Sequence, residues 1–460
     1  MKNDIVNDLI SVFGSSNVLT KDITDELTHD ESLTAKHFKP IAVVFPTEES
    51  QLIQLVKLAK KESVALVPRG SGSGMSGACN AVENSVVVSF AKMNKILEID
   101  CDNHIAVIEP GVTLMQINDE LAKYSLIYPV QPGESSATIG GNAATNAGGM
   151  KAIRYGVTRN HILGLHAILE NGEKLITGGK FLKSSTGYDL TQLFIGSEGT
   201  LGFISQLTIK LSPKYSDTVT MLAPFDSLNE LTAAIPKIIN TGTLPSILEY
   251  LDFLAIDATT KSAGIDLGIP EEVKQIAQAY LLIVLEGNSS NRLEEDMANI
   301  GTILESSGAI DIYSLPPQSG MALVDAREKA FWVAKAMNAN DIIDVVVPRS
   351  TIATYLNKVS EIALQSGSLI AGCGHVGDGN VHLSVFQNDQ EKLHEVMFQI
   401  LKVGTDLGGA VSGEHGIGTE KLGYYSKLEN SVKLRIQRQI KQILDPSNIF
   451  NPDHLIPPKI

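Results

Sequence analysis

Pro68-Arg69-Gly70-Ser71-Gly72-Ser73-Gly74-Met75-Ser76-Gly77 follows a short apolar strand and consists almost entirely of small residues. Gly72, Gly74 and Gly77 match the G-x-G-x-x-G spacing of dinucleotide-binding proteins. In that motif the glycines open a helix whose N-terminus binds the pyrophosphate. Here residues 78–84 are turn-like and residues 86–90 read as another strand, so no helix follows. We therefore predict a dinucleotide diphosphate loop of a different fold, in which successive backbone N–H groups form an anion-binding nest.

Two further stretches are rich in small residues. The first spans residues 132–149, and nearly every side chain between 137 and 149 is small. Such a segment lets a flat ligand lie close to the backbone, with hydroxyls and amides at its polar edge. Tight packing of backbone on backbone is the alternative, and this stretch alone does not decide between them. The second comprises residues 187–190 and the run Ile195-Gly196-Ser197-Glu198-Gly199-Thr200-Leu201-Gly202-Phe203-Ile204, which leads into a strand.

Composition excludes several classes of protein. The 460 residues predict about three domains, and hydrophobic and charged contents of 43% and 19% are typical of soluble globular proteins. A net charge of −15 argues against nucleic acid or an anionic membrane as the main partner. The three cysteines form no C-x-x-C motif, which disfavours an iron–sulfur cluster or a disulfide framework. We see neither a leader nor an apolar run of about 18 residues, so we expect a cytoplasmic protein without an integral membrane segment.

A pair of histidines flanks a predicted hairpin turn in Gly374-His375-Val376-Gly377-Asp378-Gly379-Asn380-Val381-His382. Asp-Gly between two apolar runs predicts a two-residue turn, in which both central positions need φ > 0. With Asp378 and Gly379 in the turn, His375 faces His382 across the strands, at a Cβ separation of roughly 5 Å. Two such imidazoles can bind one cation at about 2.1 Å. A solvated strand face is the alternative, but the forced proximity favours a metal.

A third ligand comes from Ser412-Gly413-Glu414-His415-Gly416-Ile417-Gly418. A metal that acts on a substrate keeps few protein ligands and an open position, and two histidines with one glutamate are such a set. We therefore predict that His375, His382 and Glu414 bind the metal. In an extended backbone His415 points away from Glu414, which favours a role for it as an acid or base beside the metal.

These five motifs, in this order, resemble the FAD-linked 2-hydroxyacid dehydrogenases of the vanillyl-alcohol-oxidase superfamily. The most similar branch contains D-lactate dehydrogenase, the glycolate oxidase FAD subunit and D-2-hydroxyglutarate dehydrogenase. The resemblance covers nearly the whole chain. It implies an α+β fold, with a two-part FAD-binding domain of the vanillyl-alcohol-oxidase type and a ferredoxin-like α+β cap.

The resemblance also implies how the cofactor is held, with the diphosphate on the 69–74 loop and the isoalloxazine near the second stretch. The implied cofactor-binding residues are Arg69, Gly70, Ser71, Gly72, Ser73, Gly74, Met75, Pro132, Gly133, Thr138, Gly140, Gly141, Asn142, Asn146, Gly149, Gly199, Gly202, Ile204 and the C-terminal Asn451. Some relatives attach the flavin through a histidine in the first loop. This loop has none, so we expect non-covalent FAD.

After residue 213 the glycine density falls, and strands alternate with helices. The predicted strands are 219–223, 247–251, 280–285, 345–347, 369–373 and 381–386, and the predicted helices are 227–239, 292–306, 351–365 and 390–407. Such alternation with antiparallel hairpins predicts an α+β cap of ferredoxin-like units. We expect the FAD-binding domain over residues 1–213, the cap over 214–409 and a segment, 410–460, that returns to the first domain.

Removing hydride from an alcohol carbon requires that the hydroxyl proton leave and that the developing alkoxide be stabilised. A divalent metal, Zn²⁺ first with Mn²⁺ or Fe²⁺ as alternatives, supplies the stabilisation as a Lewis acid. His415 suits the proton transfer, because an unperturbed imidazole titrates near pH 6.5.

Arg327 matches the family's arginine and can bind a carboxylate through two hydrogen bonds, whereas a solvated helix arginine is the alternative. Arg349 fits the lactate and glycolate branch and is expected to shape the same pocket.

The expected substrate is a small D-2-hydroxy acid, D-lactate or glycolate. The 2-hydroxyglutarate branch carries a lysine where this chain has Ile342 and Ile343, and a threonine where it has Phe331. The chain carries no cluster motif, so electrons must pass to a separate acceptor, such as an electron-transferring flavoprotein, an iron–sulfur subunit or a quinone. The alternatives are D-2-hydroxyglutarate dehydrogenase, a flavin electron-transfer subunit, and a metal-dependent hydrolase, which leaves the small-residue stretches unexplained.

Overall fold

In the computed structural model, which describes residues 2–457, the chain opens with a four-stranded sheet. Its elements are α1 (Lys2–Phe13), β1 (Val18–Leu19), β2 (Ala42–Val44), α2 (Glu49–Glu62), β3 (Ala65–Arg69) and β4 (Ser85–Ser89). The strand order is β1-β2-β4-β3, and β2, β4 and β3 run parallel. The apolar face of α2 packs against this sheet, because Leu52, Leu55, Val56 and Ala59 recur at helical spacing. Residues 70–84 contain no helix, which confirms that the glycine loop is not a Rossmann turn.

A second sheet completes the N-terminal half. Its elements are β5 (Ile96–Asp100), β6 (Ile105–Ile108), α3 (Leu114–Leu121), β7 (Leu126–Ile127), α4 (Ile139–Thr145), α5 (Ala152–Tyr155), β8 (Ile162–Ile168), β9 (Lys174–Gly178), α6 (Leu190–Phe194), β10 (Phe203–Lys210) and β11 (Ser212–Pro213). Five of these strands form an antiparallel sheet in the order β5-β6-β10-β8-β9. The small-residue stretch 132–149 contains the short helix α4, whose N-cap is Thr138. The Thr138 hydroxyl accepts a hydrogen bond from the Gly141 amide at 3.2 Å.

The cap is built on one seven-stranded antiparallel sheet. Its elements are β12 (Asp217–Phe225), α7 (Leu228–Asn240), β13 (Ile247–Asp252), α8 (Phe253–Ala263), α9 (Glu271–Ile276), β14 (Ala279–Gly287), α10 (Ser290–Ser306), β15 (Tyr313–Leu315), α11 (Pro317–Glu328), α12 (Ala330–Ala336), β16 (Asp341–Val346), α13 (Ile352–Ser366), β17 (Leu369–Gly374), β18 (Asn380–Phe386) and α14 (Gln390–Asp406). The order is β15-β12-β14-β13-β17-β18-β16.

This order is that of two ferredoxin-like units side by side. In the first unit, β12, β13, β14 and β15 lie in the order 4-1-3-2. The second unit repeats the pattern with β16, β17 and β18, and a single bridge between Val346 and Ala410 stands for its fourth strand. The expected ferredoxin-like cap is therefore confirmed.

Both faces of the cap sheet are covered. Along β12, Met221, Ala223 and Phe225 pack into one apolar cluster and Leu222 into another on the opposite side. Strands buried on both faces read as continuous apolar runs rather than as alternating patterns. An acidic residue inside such a run is therefore conspicuous, and two of them define the site described below.

The C-terminal segment contains α15 (Leu422–Leu428) and α16 (Ser431–Leu444) and returns to the first sheet. The Leu66 amide of β3 donates to the Ile449 carbonyl at 2.7 Å, and the Asn451 amide donates to the Leu66 carbonyl at 2.8 Å. Lys441 donates to the carbonyls of Thr200 and Phe450. No helix within residues 2–457 combines the length and the apolar character that a bilayer crossing requires. The domain limits at 213 and 409 stay a proposal.

Candidate active site

The loop between β17 and β18 does not have the predicted register. Cys373, not His375, pairs with His382, and residues 375–379 form a five-residue connection. Of the two expected turn positions only Gly379 has a positive φ, at 100°, whereas Asp378 does not. The predicted type I′ turn is therefore wrong, because that turn needs φ > 0 at both positions.

The longer loop nevertheless brings the histidines together. The amides of Asp378, Gly379 and Asn380 all point at the His375 carbonyl, at 3.0, 3.1 and 3.3 Å. This turn folds His375 back over the end of the sheet, so that its ring centroid lies 4.8 Å from that of His382. The predicted juxtaposition therefore holds for a different geometric reason.

Three candidate ligand atoms converge beside these rings. Nε2 of His375 and Nε2 of His382 each lie 3.3 Å from Oε1 of Glu414, and the three ligand atoms lie within 4.8 Å of one another. Behind the rings, the Nδ1–H of His375 donates to Glu249 at 2.6 Å, and Nδ1 of His382 lies 3.7 Å from Asp344. A carboxylate behind a ligating imidazole orients the ring and leaves the Nε2 lone pair free. This donor set fits a divalent cation.

Glu249 links the ligand His375 to Arg327. It lies in β13 with no exposed surface, and its Oε2 lies 2.7 Å from Nη2 of Arg327. Burial alone would raise the pKa of Glu249, but the charges of His375 and Arg327 lower it below its usual value. Burial alone would likewise lower the pKa of His375, but the carboxylates of Glu249 and Glu414 raise it well above the ordinary value.

Two buried carboxylates hold the 412–418 loop. Asp344 of β16 accepts four hydrogen bonds at its Oδ2, from the Ser412 hydroxyl and from the amides of Gly413, Glu414 and His415. Glu198 accepts from the amides of Ile417 and Gly418, both at 2.7 Å, and burial raises its pKa to about 7. The loop is therefore held by the cap on one side and by the third small-residue stretch on the other.

His415 lies beside the ligands without joining them. Its ring stacks on that of His382, with centroids 5.0 Å apart and planes 10° apart, and its Nε2 is 3.9 Å from Oε1 of Glu414. Burial lowers the pKa of His415 to about 4, against the attraction of Asp344. The expected titration near pH 6.5 is therefore not met, because the buried ring is neutral at neutral pH and is a weaker base than an unperturbed imidazole. It is in the protonation state that can accept a proton.

A cavity of about 160 Å³ lies between the small-residue stretches. The expected cofactor-binding residues on its wall are Arg69, Gly70, Ser71, Gly72, Ser73, Gly74, Met75, Pro132, Thr138, Gly140, Gly141, Asn142, Gly199, Gly202 and Ile204. The amides of residues 71–75 donate no hydrogen bond within the described structure, so they are free to bind phosphate. A Cβ on Gly70 would lie 2.3 Å from the Thr138 hydroxyl, so the first two stretches meet only because this residue is glycine.

Some expected contacts lie elsewhere. The Arg69 guanidinium donates to the carbonyls of Glu26 and His29, so this cavity residue also ties the loop to the segment before β2. Asn146 and Asn451 lie off the cavity wall. The Asn451 amide group donates to the carbonyls of Ala78 and Glu198, both of which line the cavity. Asn451 therefore supports the wall instead of forming it.

A second cavity, which we call the chamber, has a volume of about 90 Å³ and contains the metal-site residues. The chamber is also lined by Gly133, Gly149 and Arg327. Arg349 is exposed and lies outside the chamber, where it contacts the Gly377 carbonyl at 3.4 Å. The expectation that Arg349 shapes the pocket is not met. Met75, Pro132, Glu414 and His415 line both the chamber and the cofactor cavity, so a substrate in the chamber would lie against the cofactor.

Sequence reasoning missed Glu249, Asp344 and Glu198. The first two are acids inside otherwise apolar strands, in Ser246-Ile247-Leu248-Glu249-Tyr250-Leu251 and Asp341-Ile342-Ile343-Asp344-Val345-Val346. A buried charge requires a partner, and that pattern could have indicated both. Glu198 carries no comparable signal, because it lies in a glycine loop.

Comparison with known proteins agrees with this geometry. A family model described as FAD binding domain matches residues 40–178, and one described as FAD linked oxidases, C-terminal domain, matches residues 214–455. An uncharacterized FAD-linked oxidoreductase of Mycobacterium tuberculosis is 45% identical over 442 residues, covering 96% of each chain. The D-lactate dehydrogenase of Archaeoglobus fulgidus is 33% identical, covering 98% of each chain. The glycolate oxidase subunit GlcD of Bacillus subtilis is 32% identical, covering 98% of this chain and 96% of that one.

Solved structures share the fold at low sequence identity. p-Cresol methylhydroxylase superposes with a TM-score of 0.79 at 17% identity, covering 98% of this chain and 96% of that one. 4-Ethylphenol oxidase from Gulosibacter chungangensis gives 0.77 at 18%, covering 99% and 97%. Fold and site together define an FAD-dependent oxidoreductase. The chain belongs to the FAD-linked oxidases, alongside relatives named D-lactate dehydrogenase and glycolate oxidase subunit.

Proposed function

We propose that the protein is an FAD- and metal-dependent dehydrogenase that oxidises a small D-2-hydroxy acid, D-lactate or glycolate, to the 2-oxo acid. The observation that carries the proposal is the convergence of His375, His382 and Glu414 in the chamber, next to the cofactor cavity that Glu414 also lines. The named relatives support the substrate class and the D configuration.

The chain's own residues have distinct tasks in this reaction. His375, His382 and Glu414 would hold the metal, and Zn²⁺ suits two imidazoles with one carboxylate, with Mn²⁺ or Fe²⁺ as alternatives. When bound, the metal supplies Lewis-acid polarisation of the substrate hydroxyl and FAD supplies a hydride acceptor. His415, which burial keeps neutral, accepts the hydroxyl proton at its imidazole nitrogen. Arg327 lines the chamber and pairs with the substrate carboxylate.

The remaining chamber wall favours a short side chain on the substrate. Ile342 and Phe331 both line the chamber. In the 2-hydroxyglutarate branch, a lysine corresponds to Ile342 or Ile343 and a threonine corresponds to Phe331. The side chains of Ile342 and Phe331 offer no charged partner for a second carboxylate, and burying an unpaired charge is costly. We therefore place a monocarboxylate ahead of 2-hydroxyglutarate.

Two further properties belong to the proposal. FAD is bound non-covalently, because the 68–77 loop lacks histidine and desolvation raises the pKa of the nearby Cys79 thiol to about 12, which makes it a poor nucleophile. Electrons pass to a separate acceptor, for which an electron-transferring flavoprotein, an iron–sulfur subunit and a quinone are the candidate classes. Acid precipitation of the holoprotein should release the flavin into the supernatant.

Anaerobic bleaching of the protein-bound flavin tests the proposal. D-Lactate, L-lactate, glycolate and D-2-hydroxyglutarate are mixed in turn with the holoprotein, with and without prior chelator treatment. We expect bleaching by D-lactate or glycolate, loss of bleaching after chelation, and recovery on adding back Zn²⁺ or Mn²⁺. A flavoprotein that no 2-hydroxy acid reduces in the presence of metal would contradict the assignment, and a colourless protein would favour the hydrolase alternative.

A further inference from the structure

Lys421 is a buried lysine to which the proposed reaction gives no task. It lies at the start of α15, and its backbone amide donates to the Ile417 carbonyl at 3.0 Å. Its side chain is only 1% exposed. Within residues 2–457 its Nζ atom has no hydrogen-bond partner. Because a buried charge without a direct partner is costly, its position calls for a physical reason.

Four carboxyl groups interact electrostatically with the Lys421 ammonium. Asp341 and Glu420 line a cleft of about 980 Å³. Burial raises the pKa of both, and the charge of Lys421 acts against that rise. Asp344 and Glu198 are the two carboxylates that hold the loop described above, and they feel the same charge. The lysine therefore serves one pair of carboxyl groups at the cleft and another at the loop.

The ammonium helps to keep the two loop-holding groups ionised. Burial alone would raise the pKa of Asp344, but the attraction of His415 and Lys421 lowers it below its ordinary value. Burial raises the pKa of Glu198 to about 7, against two amide hydrogen bonds from the loop and the charge of Lys421. A hydrogen bond to an ionised acceptor is about twice as strong as one between neutral groups. The charge of Lys421 therefore strengthens the bonds that fix the loop.

These bonds reach the metal site directly. The backbone amides of Glu414 and His415 donate to Asp344 at 3.0 and 2.8 Å. The side chain of Glu414 places its Oε1 atom 3.3 Å from Nε2 of each histidine ligand. A loop that is held less firmly would therefore leave this carboxylate less well placed between the two imidazoles.

We propose that Lys421 is a positioning residue for the metal site: its buried ammonium balances the charges of Asp344 and Glu198 and so keeps Glu414 in place to bind the cation. The proposal rests on the function proposed above, because it requires Glu414 to be a metal ligand. Lys421 lines neither the chamber nor the cofactor cavity. It acts only through the loop.

The test is the zinc affinity of the FAD-loaded protein, measured by competition with a fluorescent zinc chelator. Lys421→Met keeps a long, unbranched side chain and removes its charge, whereas Lys421→Arg keeps the charge. We expect Lys421→Met to weaken zinc binding on the order of 10- to 100-fold, and Lys421→Arg by no more than about threefold. A role in packing alone predicts the opposite order, because methionine fills a similar space and arginine overfills it.

Lys427→Met is the matched control, since it removes an exposed ammonium from the same helix. It should leave zinc affinity within about threefold of the wild-type value. Wild-type zinc affinity in a folded, FAD-loaded Lys421→Met variant would overturn the inference and leave the proposed function standing. A wild-type protein that binds FAD but no divalent metal would overturn the metal-dependent function itself, and the inference with it.

A second uncharged variant keeps the inference testable if Lys421→Met fails to fold or to bind FAD. Lys421→Gln also removes the charge, but its amide can still donate to buried acceptors. We expect the same loss of zinc affinity in this variant. If neither uncharged variant folds, the charge serves the fold as a whole rather than the metal site, and the inference is overturned.

Discussion

The stacked imidazoles of His382 and His415 are chemically identical side chains that their surroundings set to different tasks. His382 directs Nε2 at Glu414 and has Asp344 behind it at 3.7 Å, which is the arrangement of a metal ligand. His415 has its backbone amide, not its ring, bonded to Asp344 at 2.8 Å, and burial lowers its pKa to about 4. These surroundings support the proposal that His382 donates a lone pair to a cation and that His415 accepts a proton.

Replacing each of these histidines separates the two tasks. His415→Asn should retain FAD and stoichiometric metal but slow flavin reduction on the order of 100-fold or more, because a positioned general base contributes that much. His382→Ala should lose stoichiometric metal while retaining FAD. Metal analysis, flavin absorbance and stopped-flow reduction measure the three properties. Wild-type reduction rates in His415→Asn would refute the assignment of the base.

Gly148 shows how a missing side chain positions a ligand. A Cβ at this residue would lie 2.5 Å from Oε2 of Glu414, so the second small-residue stretch approaches the metal site only as glycine. We expect Gly148→Ala to displace the Glu414 carboxylate and weaken metal binding by roughly 10- to 100-fold, as loss of ligand positioning does. Competition with a fluorescent zinc chelator measures the affinity. Gly301→Ala, in open space within α10, should leave metal affinity unchanged.

The sequence predicts a secondary-structure element where a local pattern of residues determines it. It does not predict an element whose conformation depends on tertiary contacts. The alternation of strands and helices in the cap is a local signal, and the structure bears it out. The connection 375–379 is not determined locally. Asp-Gly predicts a two-residue turn, but the observed connection has five residues. Gly379 packs closely against a neighbouring segment, since a Cβ on this residue would lie 2.1 Å from the Val347 carbonyl oxygen.

The start of α8 illustrates an element whose stability depends on one side chain. Asp252 caps the helix by accepting from the Ala255 amide at 2.7 Å, and its other oxygen accepts from the Gly372 amide of β17. Asp252→Ala should lower the free energy of unfolding by about 2–3 kcal/mol, because a cap is lost and a buried amide is left unpaired.

Urea unfolding followed by the fluorescence of Trp332, the single tryptophan of the chain, reports this change within the cap. Asp257→Ala is the matched control on the same helix, since it breaks only an exposed ion pair with Lys261 at 2.8 Å. That pair contributes about 0.3–0.5 kcal/mol. Equal losses in the two variants would show that Asp252 does not act as a cap.

At the scale of the whole molecule, the proposed metal site joins parts of the chain that are remote in sequence. His375 and His382 belong to the cap, Glu414 belongs to the returning segment, and Glu198 ties that segment to the cofactor stretch through the amides of Ile417 and Gly418. Motif order was enough to predict which residues meet. The carboxylates that hold them are remote in sequence, since Glu249 is 126 residues from His375 and Asp344 is 71 residues from His415. An acid within an apolar strand indicates a buried charge, but no pattern of spacing identifies its partner.

This architecture predicts that the metal stabilises the whole fold and not only its site. A cation that binds the folded state alone raises the free energy of unfolding by about 2.7 kcal/mol when its free concentration is 100 times its dissociation constant. We therefore expect chelation of the holoprotein to lower its thermal unfolding midpoint by several degrees, and Zn²⁺ to restore it in a concentration-dependent way. His382→Ala should show neither shift, because its ligand set is incomplete. A wild-type midpoint that does not respond to chelator, in protein shown by analysis to lose its metal, would mean that the cation does not bind the folded state in preference to the unfolded state, and would contradict this expectation.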